Sequence, residues 1–283
     1  MKTNSQFFDE LSDDYDLMTN FESALKNKIS FIKNFLASNY KTALDLGCGT
    51  GADAIALSKL GIQVDAVDHS SGMLQKAIKN GKKFDTNINF IESGLTAFNV
   101  KDKNYDFIVS LGNTIANINV LELRILMSTI FSMLNNGGSA LFQIVNYAKL
   151  PKSGTHILNV FENDEVSIIR KYNINNNDFD FIIDKVDKKN QQKSQIITKL
   201  YPHSENDFNK IILLTLNSTQ KQFIEGLIYS EEEYSPIIEM LKDEKVVLRN
   251  LENIQGDEAD LVIVSVAYDK SARLSSTYVA KPE

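Results

Sequence analysis

The sequence has little of several residue types on which whole classes of protein depend. Its 283 residues include one cysteine and three histidines, and no tryptophan. One cysteine excludes an intramolecular disulfide and a cysteine-rich zinc site, and three scattered histidines disfavour a multi-histidine site, so we predict no metal centre. No run of about 20 apolar residues is present, which predicts that no helix spans a membrane. Residues 1–10 are polar and lack the apolar stretch of a signal peptide, so we expect a soluble, cytoplasmic protein.

The charge balance narrows the choice of partners. The formal net charge is −7, and no segment interleaves basic with aromatic residues. An acidic surface repels a phosphate backbone, so nucleic acid is disfavoured as a partner. A hydrophobic content of 43% and a charged content of 24% are ordinary for a globular protein. The length suits one large α/β domain, with or without an insert.

The spacing of apolar residues predicts helices first and then an alternation of strands and helices. Apolar residues three and four positions apart predict an N-terminal helical cap over residues 1–40. From residue 41, short apolar runs alternate with helical patterns, which favours parallel strands joined by right-handed crossovers in a doubly wound α/β sheet. The predicted strands are 42–46, 62–67, 88–92, 105–111 and 139–145, and the predicted helices are 52–60, 71–79 (capped by Ser70 or Ser71) and 121–134 (ending at Gly137 and Gly138).

A different pattern predicts an insert in the second half of the chain. Five β-rich runs separated by polar turns predict an antiparallel β insert over 154–230, which we interpret as a substrate lid. An α/β pattern then resumes, so that 41–153 and 231–270 together form the core, and 271–283 is predicted to be a flexible tail. The five runs are 165–172, 179–186, 195–201, 210–216 and 222–229, followed by a predicted helix over 231–243 and a buried strand over 261–267.

The strongest motif joins the first predicted strand to the next helix. It reads Ala43-Leu-Asp-Leu-Gly-Cys-Gly-Thr-Gly51, with glycines at alternate positions 47, 49 and 51. Glycines there allow a tight turn and leave no side chain between the backbone and a ligand, and the following helix presents unpaired N–H groups. Asp68 ends the next strand, where a carboxylate accepts both hydroxyls of a ribose in nucleoside-binding α/β folds. The motif therefore predicts a nucleoside cofactor.

Two cofactors fit this arrangement. The dinucleotide fingerprint is satisfied only loosely, by Gly47, Gly49 and Ala52. With Asp45 and Gly51 included, the pattern resembles motif I of the class I S-adenosylmethionine-dependent methyltransferases. This resemblance implies a Rossmann-like, mostly parallel sheet of seven strands. It also implies S-adenosylmethionine as the cofactor, with S-adenosylhomocysteine as its product, and a glycine loop beside the methionine end of that cofactor.

Over residues 43–150 the resemblance is to a more specific group of methyltransferases. These residues are similar to the catalytic core of glycine N-methyltransferase and its small-molecule relatives. The segment Tyr105–Asn113 resembles the fourth motif of that family, and Asn146-Tyr147 resembles its Asn-Tyr pair. An arginine precedes this pair in that family and holds the substrate carboxylate, but Val145 occupies the position here. Valine cannot form a bidentate pair with a carboxylate, so we expect an acceptor that is apolar or lacks that carboxylate, rather than glycine or sarcosine.

We therefore predict a methyltransferase for a small-molecule acceptor, acting at nitrogen by in-line transfer. The sulfonium is already activated, so catalysis needs alignment and exclusion of water more than an acid–base pair. The predicted catalytic residues are Asn113, which orients the acceptor, and Tyr15, which either closes over it or is an ordinary core residue. The predicted cofactor-binding residues are Asp45, Gly47, Gly49, Gly51, Asp68, His69 and Ser93 (both beside the adenine), Gly94, Leu111 and Gly112.

Other interpretations stay open at this stage. One is an RNA or protein methyltransferase, another is a catalytically silent module that binds the cofactor, and the least favoured is a dehydrogenase. His69 is also interpretable as a surface turn residue, Cys48 as a small core residue, and His203 as a solvated turn residue rather than a general base. The sequence leaves open whether the outer strands of the insert pair between copies to form a homo-oligomer.

Overall fold

The computed structural model describes residues 3–98, 100, 103–176 and 178–203, together with the backbone of three short strands further along the chain. The N-terminal segment is helical, as predicted. Helix α1 begins with a capping box between Thr3 and Gln6, and it ends at Asn20, whose φ of +51° turns the chain into α2. The helices are α1 (Asn4–Thr19), α2 (Phe21–Lys33), α3 (Ala52–Lys59), α4 (Ser71–Lys83) and α5 (Val120–Met133).

A parallel sheet forms the centre of the molecule. Its order is β12-β5-β4-β1-β2-β3, and every pair of neighbours is parallel. The doubly wound parallel sheet is therefore confirmed. Seven strands are not confirmed, because the described part of this sheet has six. Its strands are β1 (Thr42–Leu46), β2 (Gln63–Asp68), β3 (Ile88–Glu92), β4 (Tyr105–Ser110), β5 (Leu134–Ile144) and β12 (Ile263–Ala267).

Helices cover both faces of this sheet because successive strand residues point in opposite directions. On β1, Ala43 packs in the cluster that includes α2 and α3, whereas Leu44 packs in the cluster that includes α5. The strand order reverses between β1 and β4, since β2 lies on one side of β1 and β4 on the other. Ligands bind at such a switch point, outside the carboxyl ends of the strands.

The transition from α5 to β5 differs from the prediction. The helix ends at Met133 and β5 begins at Leu134, so Gly137 and Gly138 lie within the strand rather than after the helix. The register between β4 and β5 shifts between Tyr105 and Phe107. A Cβ on Gly138 would lie 3.1 Å from the Tyr105 carbonyl oxygen. The glycine is therefore needed for a close approach of two strands, which its sequence neighbourhood did not reveal.

A second sheet is antiparallel and follows the order β6-β7-β8-β9. The first strand of this sheet, β6, was not predicted from the sequence, because the first strand of the insert was placed at residue 165. The predicted run 210–216 contains β10, which pairs with β11 in a parallel two-stranded sheet. The run 222–229, the helix 231–243 and the tail lie outside the described residues. The strands are β6 (Ser153–Glu162), β7 (Val166–Asn175), β8 (Asp178–Asp187), β9 (Lys193–Leu200), β10 (Leu213–Thr215) and β11 (Leu248–Asn250).

One face of the antiparallel sheet packs on α1. We call this the inner face. Its buried side chains form a cluster with Phe7 and Leu11 of α1, and the Phe7 and Phe181 ring centroids are 5.6 Å apart. The inner-face members of the cluster are Val166, Ile168, Tyr172, Ile174, Phe179, Phe181, Ile183 and Leu200. Helix α1 therefore packs between part of the insert and α4.

Helix α1 also contacts the start of α4. Asp9 Oδ1 accepts hydrogen bonds from the Ser70 hydroxyl (2.6 Å) and from the Gly72 N–H (3.0 Å). A Cβ on Gly72 would lie 2.8 Å from Ser12 Oγ, so glycine permits this close packing. Ser70, one of the two predicted caps, is the N-cap of α4. In the described part of the chain, no helix is long and apolar enough to cross a membrane.

Candidate active site

The glycine loop crosses the carboxyl ends of β1 and β2. The N–H groups of Gly47 and Cys48 both donate to the Val67 carbonyl oxygen (2.8 and 2.9 Å), which fixes the loop on β2. Gly47, Gly49 and Gly51 have φ of +74°, +53° and +90°, values that side chains disfavour. A Cβ on Gly49 would meet no atom within 4 Å. The backbone at Gly49 therefore faces open space, as a loop that holds a ligand requires.

Asp68 lies beside this open space. Its side chain is 7% exposed; Oδ2 accepts a hydrogen bond from the Gly49 N–H (2.8 Å), and Oδ1 accepts one from the Ser70 N–H (2.9 Å). A carboxylate oxygen has the capacity to accept two hydrogen bonds, and each Asp68 oxygen accepts one from the backbone. Asp68 is thus fixed by the backbone and retains acceptor capacity for two ribose hydroxyls.

Asp45 is a buried carboxyl at the end of β1 and differs from Asp68 in its environment. Burial raises the pKa of Asp45 well above its ordinary value, the nearby Asp53 raises it further, and Lys28 opposes both. Lys28 is committed to Asp53, because its Nζ lies 2.6 Å from both carboxylate oxygens. Asp45 Oδ2 is buried without a hydrogen-bond partner among the described residues. This atom fits the ammonium of the methionine end of S-adenosylmethionine, which would supply a donor and a positive charge.

The adenine-side candidates lie next to Asp68. The Ser93 N–H donates to the Asp68 carbonyl oxygen (2.9 Å), and a Cβ on Gly94 would meet nothing within 4 Å. The His69 ring packs edge-on against Phe8 of α1, with ring centroids 5.9 Å apart. His69 Nε2 is buried without a partner among the described residues. His69 is therefore a packed residue beside the cofactor loop rather than a simple surface turn residue.

The segment after β4 is fixed by Gln143 of β5. The Gly112 N–H donates to Gln143 Oε1 (3.0 Å), and the Asn113 N–H donates to the Gln143 carbonyl oxygen (3.1 Å). Thr114 then joins this segment to the glycine loop: its hydroxyl donates to the Leu111 carbonyl oxygen (2.7 Å), and its methyl group fills the position that a Cβ on Gly47 would need, at 2.1 Å. No local pattern indicated these roles for Gln143 and Thr114, because they depend on contacts between neighbouring strands.

The Asn113 side chain is hydrogen-bonded to a tyrosine. Its Oδ1 accepts a hydrogen bond from the Val145 N–H (3.0 Å), and its Nδ2 donates to the Tyr147 hydroxyl (2.7 Å). Asn113 has a φ of +67°, which asparagine tolerates better than most residues. The resemblance placed Asn113 and Tyr147 in separate motifs. The fold makes them one hydrogen-bonded pair.

Tyr147 is a neutral phenol within an aromatic group. Its ring meets Phe179 edge-on, with centroids 4.9 Å apart, and its centroid is 6.4 Å from that of Tyr172. Burial raises the pKa of Tyr147 well above its ordinary value, Tyr172 adds to this, and the bond from Asn113 opposes it. Because the Tyr147 oxygen accepts from Asn113, its own proton remains available as a donor.

The remaining candidates are placed less favourably for chemistry. Tyr15 is half-buried and packs against the cluster between α1 and the inner face, as a core residue would. Burial raises the pKa of the Cys48 thiol, which disfavours the reactive thiolate. His203 was expected to be solvated but is 4% exposed. Its Nε2 lies 2.8 Å from the Ile118 carbonyl oxygen and 3.1 Å from that of Ile115; since carbonyls only accept, Nε2 carries the proton and is no base.

Comparison with known proteins agrees with this geometry. Residues 43–138, which span the glycine loop, Asp68 and Asn113, match the family described as a methyltransferase domain. They form a class I S-adenosylmethionine-dependent methyltransferase domain. The prediction of a class I methyltransferase, with S-adenosylmethionine as its cofactor, is therefore confirmed. Among the described residues, no group of three or more histidine, cysteine, aspartate or glutamate side chains is placed to hold a metal ion.

Two curated relatives and one solved structure are representative of the similarity. The cypemycin N-terminal methyltransferase of Streptomyces sp. is 28% identical over 141 residues, which cover 50% of this chain and 56% of that protein. The glycine/sarcosine N-methyltransferase of Halorhodospira halochloris is 28% identical over 146 residues, which cover 50% and 54%. The chain thus spans about half the length of the curated relatives it matches. A methyltransferase structure from Clostridium acetobutylicum shares the fold, with a TM-score of 0.58, 20% identity, and coverage of 71% of this chain and 84% of that one.

Proposed function

We propose that the protein transfers a methyl group from S-adenosylmethionine to a nitrogen atom of a small molecule. The observation that carries the proposal is the contact of Thr114 with both Gly47 and Leu111, since it joins the open glycine loop to the Asn113–Tyr147 pair. A cofactor held on the loop and an acceptor held by the pair would then meet at the carboxyl ends of β1 and β4, where the strand order reverses.

The cofactor-binding residues have distinct tasks in this proposal. Asp68 accepts hydrogen bonds from the ribose hydroxyls, and the buried Asp45 Oδ2 accepts one from the ammonium of the methionine end. The open backbone at Gly49 admits the cofactor, while Ser93 and His69 border the adenine. When bound, S-adenosylmethionine supplies an activated methyl group. The protein therefore has to align the acceptor and exclude water, and it does not need a strong base.

Asn113 and Tyr147 orient the amine that accepts the methyl group. The lone pair of a neutral amine has to point along the S–CH3 bond, and the Tyr147 hydroxyl with the Asn113 carboxamide provides a fixed donor and a fixed acceptor beside it. Phe179 and Tyr172 exclude water from Tyr147. Nitrogen is favoured over other acceptor atoms because both curated relatives named above are N-methyltransferases.

A calorimetric titration tests the cofactor side of the proposal. We expect S-adenosylmethionine and S-adenosylhomocysteine to bind at micromolar concentration, and NAD not to bind. Asp68→Ala should weaken both by about 1.5–3 kcal/mol, which is about tenfold to a hundredfold, because it removes acceptors for two ribose hydroxyls. Asp13→Ala, at an exposed carboxylate of α1, is the control and should leave affinity unchanged. Binding of NAD alone, or equal affinity in Asp68→Ala, would contradict the assignment.

A further inference from the structure

The inner face of the antiparallel sheet carries an arginine that has no hydrogen-bond or ion-pair partner among the described residues. Arg170 lies on β7 between Ile168 and Tyr172 at alternate positions, so the three side chains leave the strand on the same face. Its Nε is buried, and the guanidinium has neither a hydrogen bond nor an ion pair within the described ranges. Arg170 Cζ lies 5.9 Å from the centroid of the Phe181 ring. A half-buried guanidinium without an acceptor is costly unless a ligand provides one.

The neighbours of Arg170 do not provide that acceptor. Asn159 is opposite Arg170 in the register of β6 and β7, yet its Oδ1 is also buried without a partner in the described part of the chain. The two side chains therefore do not satisfy each other. His156 lies opposite Tyr172 in the same register. This part of the inner face thus has an unpaired donor and an unpaired acceptor on adjacent strands.

The same face leads to the proposed methyl-transfer site. Tyr172 is next but one to Arg170, and its ring centroid is 6.4 Å from that of Tyr147, whose hydroxyl accepts from Asn113. Burial raises the pKa of Tyr172, and the charge of Arg170 opposes this effect, so the guanidinium acts on that phenol. The Tyr172 hydroxyl makes no hydrogen bond to any described residue. A row of side chains therefore runs from Asn113 through Tyr147 and Tyr172 to Arg170.

We propose that Arg170 binds an oxyanion of the methyl acceptor, a carboxylate or a phosphate, with the Tyr172 hydroxyl as a second donor. A guanidinium presents a planar pair of N–H groups that matches either anion. The inference rests on the proposed function and adds the class of acceptor, an acid that carries a nitrogen to be methylated. The sequence by itself predicted an acceptor without that carboxylate, because Val145 replaces the arginine at the end of β5. In the present proposal the positive charge that binds the anion comes from Arg170 of the insert instead.

Nuclear magnetic resonance of the arginine side chains tests this directly. The chain has four arginines, at positions 124, 170, 249 and 273, so a 15N-arginine sample of the full protein has few Nε–Hε signals, and Arg170→Met identifies the one required. With the protein saturated with S-adenosylhomocysteine, we titrate benzoate, phenyl phosphate and the uncharged benzamide. The Arg170 signal should shift saturably with at least one anion and not with benzamide. The anion that binds more tightly distinguishes a carboxylate acceptor from a phosphate acceptor.

A neighbouring lysine provides the matched control. Lys171 is paired with Asp184 and leaves β7 on the opposite face, so Lys171→Met removes one positive charge without touching the row. Arg170→Met should raise the dissociation constant of the anion about tenfold to a hundredfold. Lys171→Met should change this constant less than about twofold. Arg170→Lys keeps the charge but not the planar pair, and should give an intermediate value.

The outcomes separate this inference from the function on which it rests. If S-adenosylhomocysteine binds but neither anion shifts the Arg170 signal at about 20 mM, twentyfold above a millimolar dissociation constant, the anion site is wrong and the methyltransferase proposal stands. A shift with benzamide equal to that with the anions also overturns the inference. Failure of S-adenosylhomocysteine to bind refutes the proposed function itself, and this inference with it.

Discussion

At the scale of single residues, the three glycines of the loop share positive φ but differ in what surrounds them. Gly47 faces the methyl group of Thr114, Gly51 approaches Ala77, where a Cβ would lie 3.2 Å from that of Ala77, and Gly49 faces open space. The pattern of alternate glycines predicted a ligand loop but could not distinguish these tasks. The structure separates glycines needed for packing from the one that leaves room for a ligand.

Gly47→Ala should destabilise the protein more than Gly49→Ala. Both changes cost about 1–2 kcal/mol because the residue has positive φ, but only the first adds a clash, worth about 1–3 kcal/mol. Thr114→Ser removes the methyl group that Gly47→Ala would meet, so the double variant should recover the clash energy and not the φ energy. Urea denaturation gives the free energies of unfolding of the wild type and of the four variants. Additive losses in the double variant would show that Thr114 does not limit position 47.

At the scale of elements, a carboxylate ties the amino-terminal ends of three strands together. Asp106 on β4 accepts hydrogen bonds from the N–H groups of Lys41 (2.7 Å) and Thr42 (3.0 Å), at the start of β1, and from Asn135 Nδ2 (2.8 Å) on β5. Although burial alone would raise it, these donors lower the pKa of Asp106 below its ordinary value. The site lies at the opposite end of the sheet from the glycine loop, and its role is structural.

The stabilising effect of Asp106 should therefore depend on pH. Because its pKa is lower in the folded state than the unfolded value of about 3.9, its contribution is complete above that value and is lost as pH falls through the folded pKa. We expect wild type to exceed Asp106→Asn in free energy of unfolding by a constant amount above about pH 5, and the difference to shrink toward about pH 3. Asp164→Asn, at an exposed position, serves as the control. A difference that stays constant down to pH 3 would refute the role of the charge.

At the scale of the whole molecule, α1 is one of the elements that connect the insert to the parallel sheet and its helices. Phe7 is fully buried against the inner face, while Asp9 on the same helix bonds to the N-cap of α4 beside Asp68. Lys185 of β8 is also paired with Asp14 of α1. The helix was predicted as a cap, but its position between two sheets was not.

Phe7→Ala should loosen the insert and α1 together. Removing a fully buried phenylalanine costs about 3–5 kcal/mol, and the loss should reduce hydrogen-exchange protection in α1, β7 and β8 alike. The control is Leu17→Ala, on the same helix and 42% exposed, which should change the free energy of unfolding by less than about 0.5 kcal/mol. Reduced protection in α1 alone would contradict the coupling between the two parts.

The sequence by itself determined the local elements and the cofactor motif. The strands at 42–46 and 88–92 agree with the observed β1 and β3 to the residue, and the cap of α4 was predicted to within one residue, at Ser70 or Ser71. The reason is that alternation, caps and glycine turns act over a few residues, so they are readable from adjacent positions. Asp68 was placed correctly at the end of the second strand for the same reason.

Only the tertiary structure decided which side chains meet. Gln143 and Thr114 fix the Asn113 segment, and Asn113 binds Tyr147. Arg170, on the face that leads to them, has no hydrogen-bond partner for its Nε in the part of the chain that the structure describes. These relations join residues on different strands, and strand order, register and the packing of α1 against the insert set the distances between them. Such contacts depend on a single global arrangement of the chain, which no local pattern encodes.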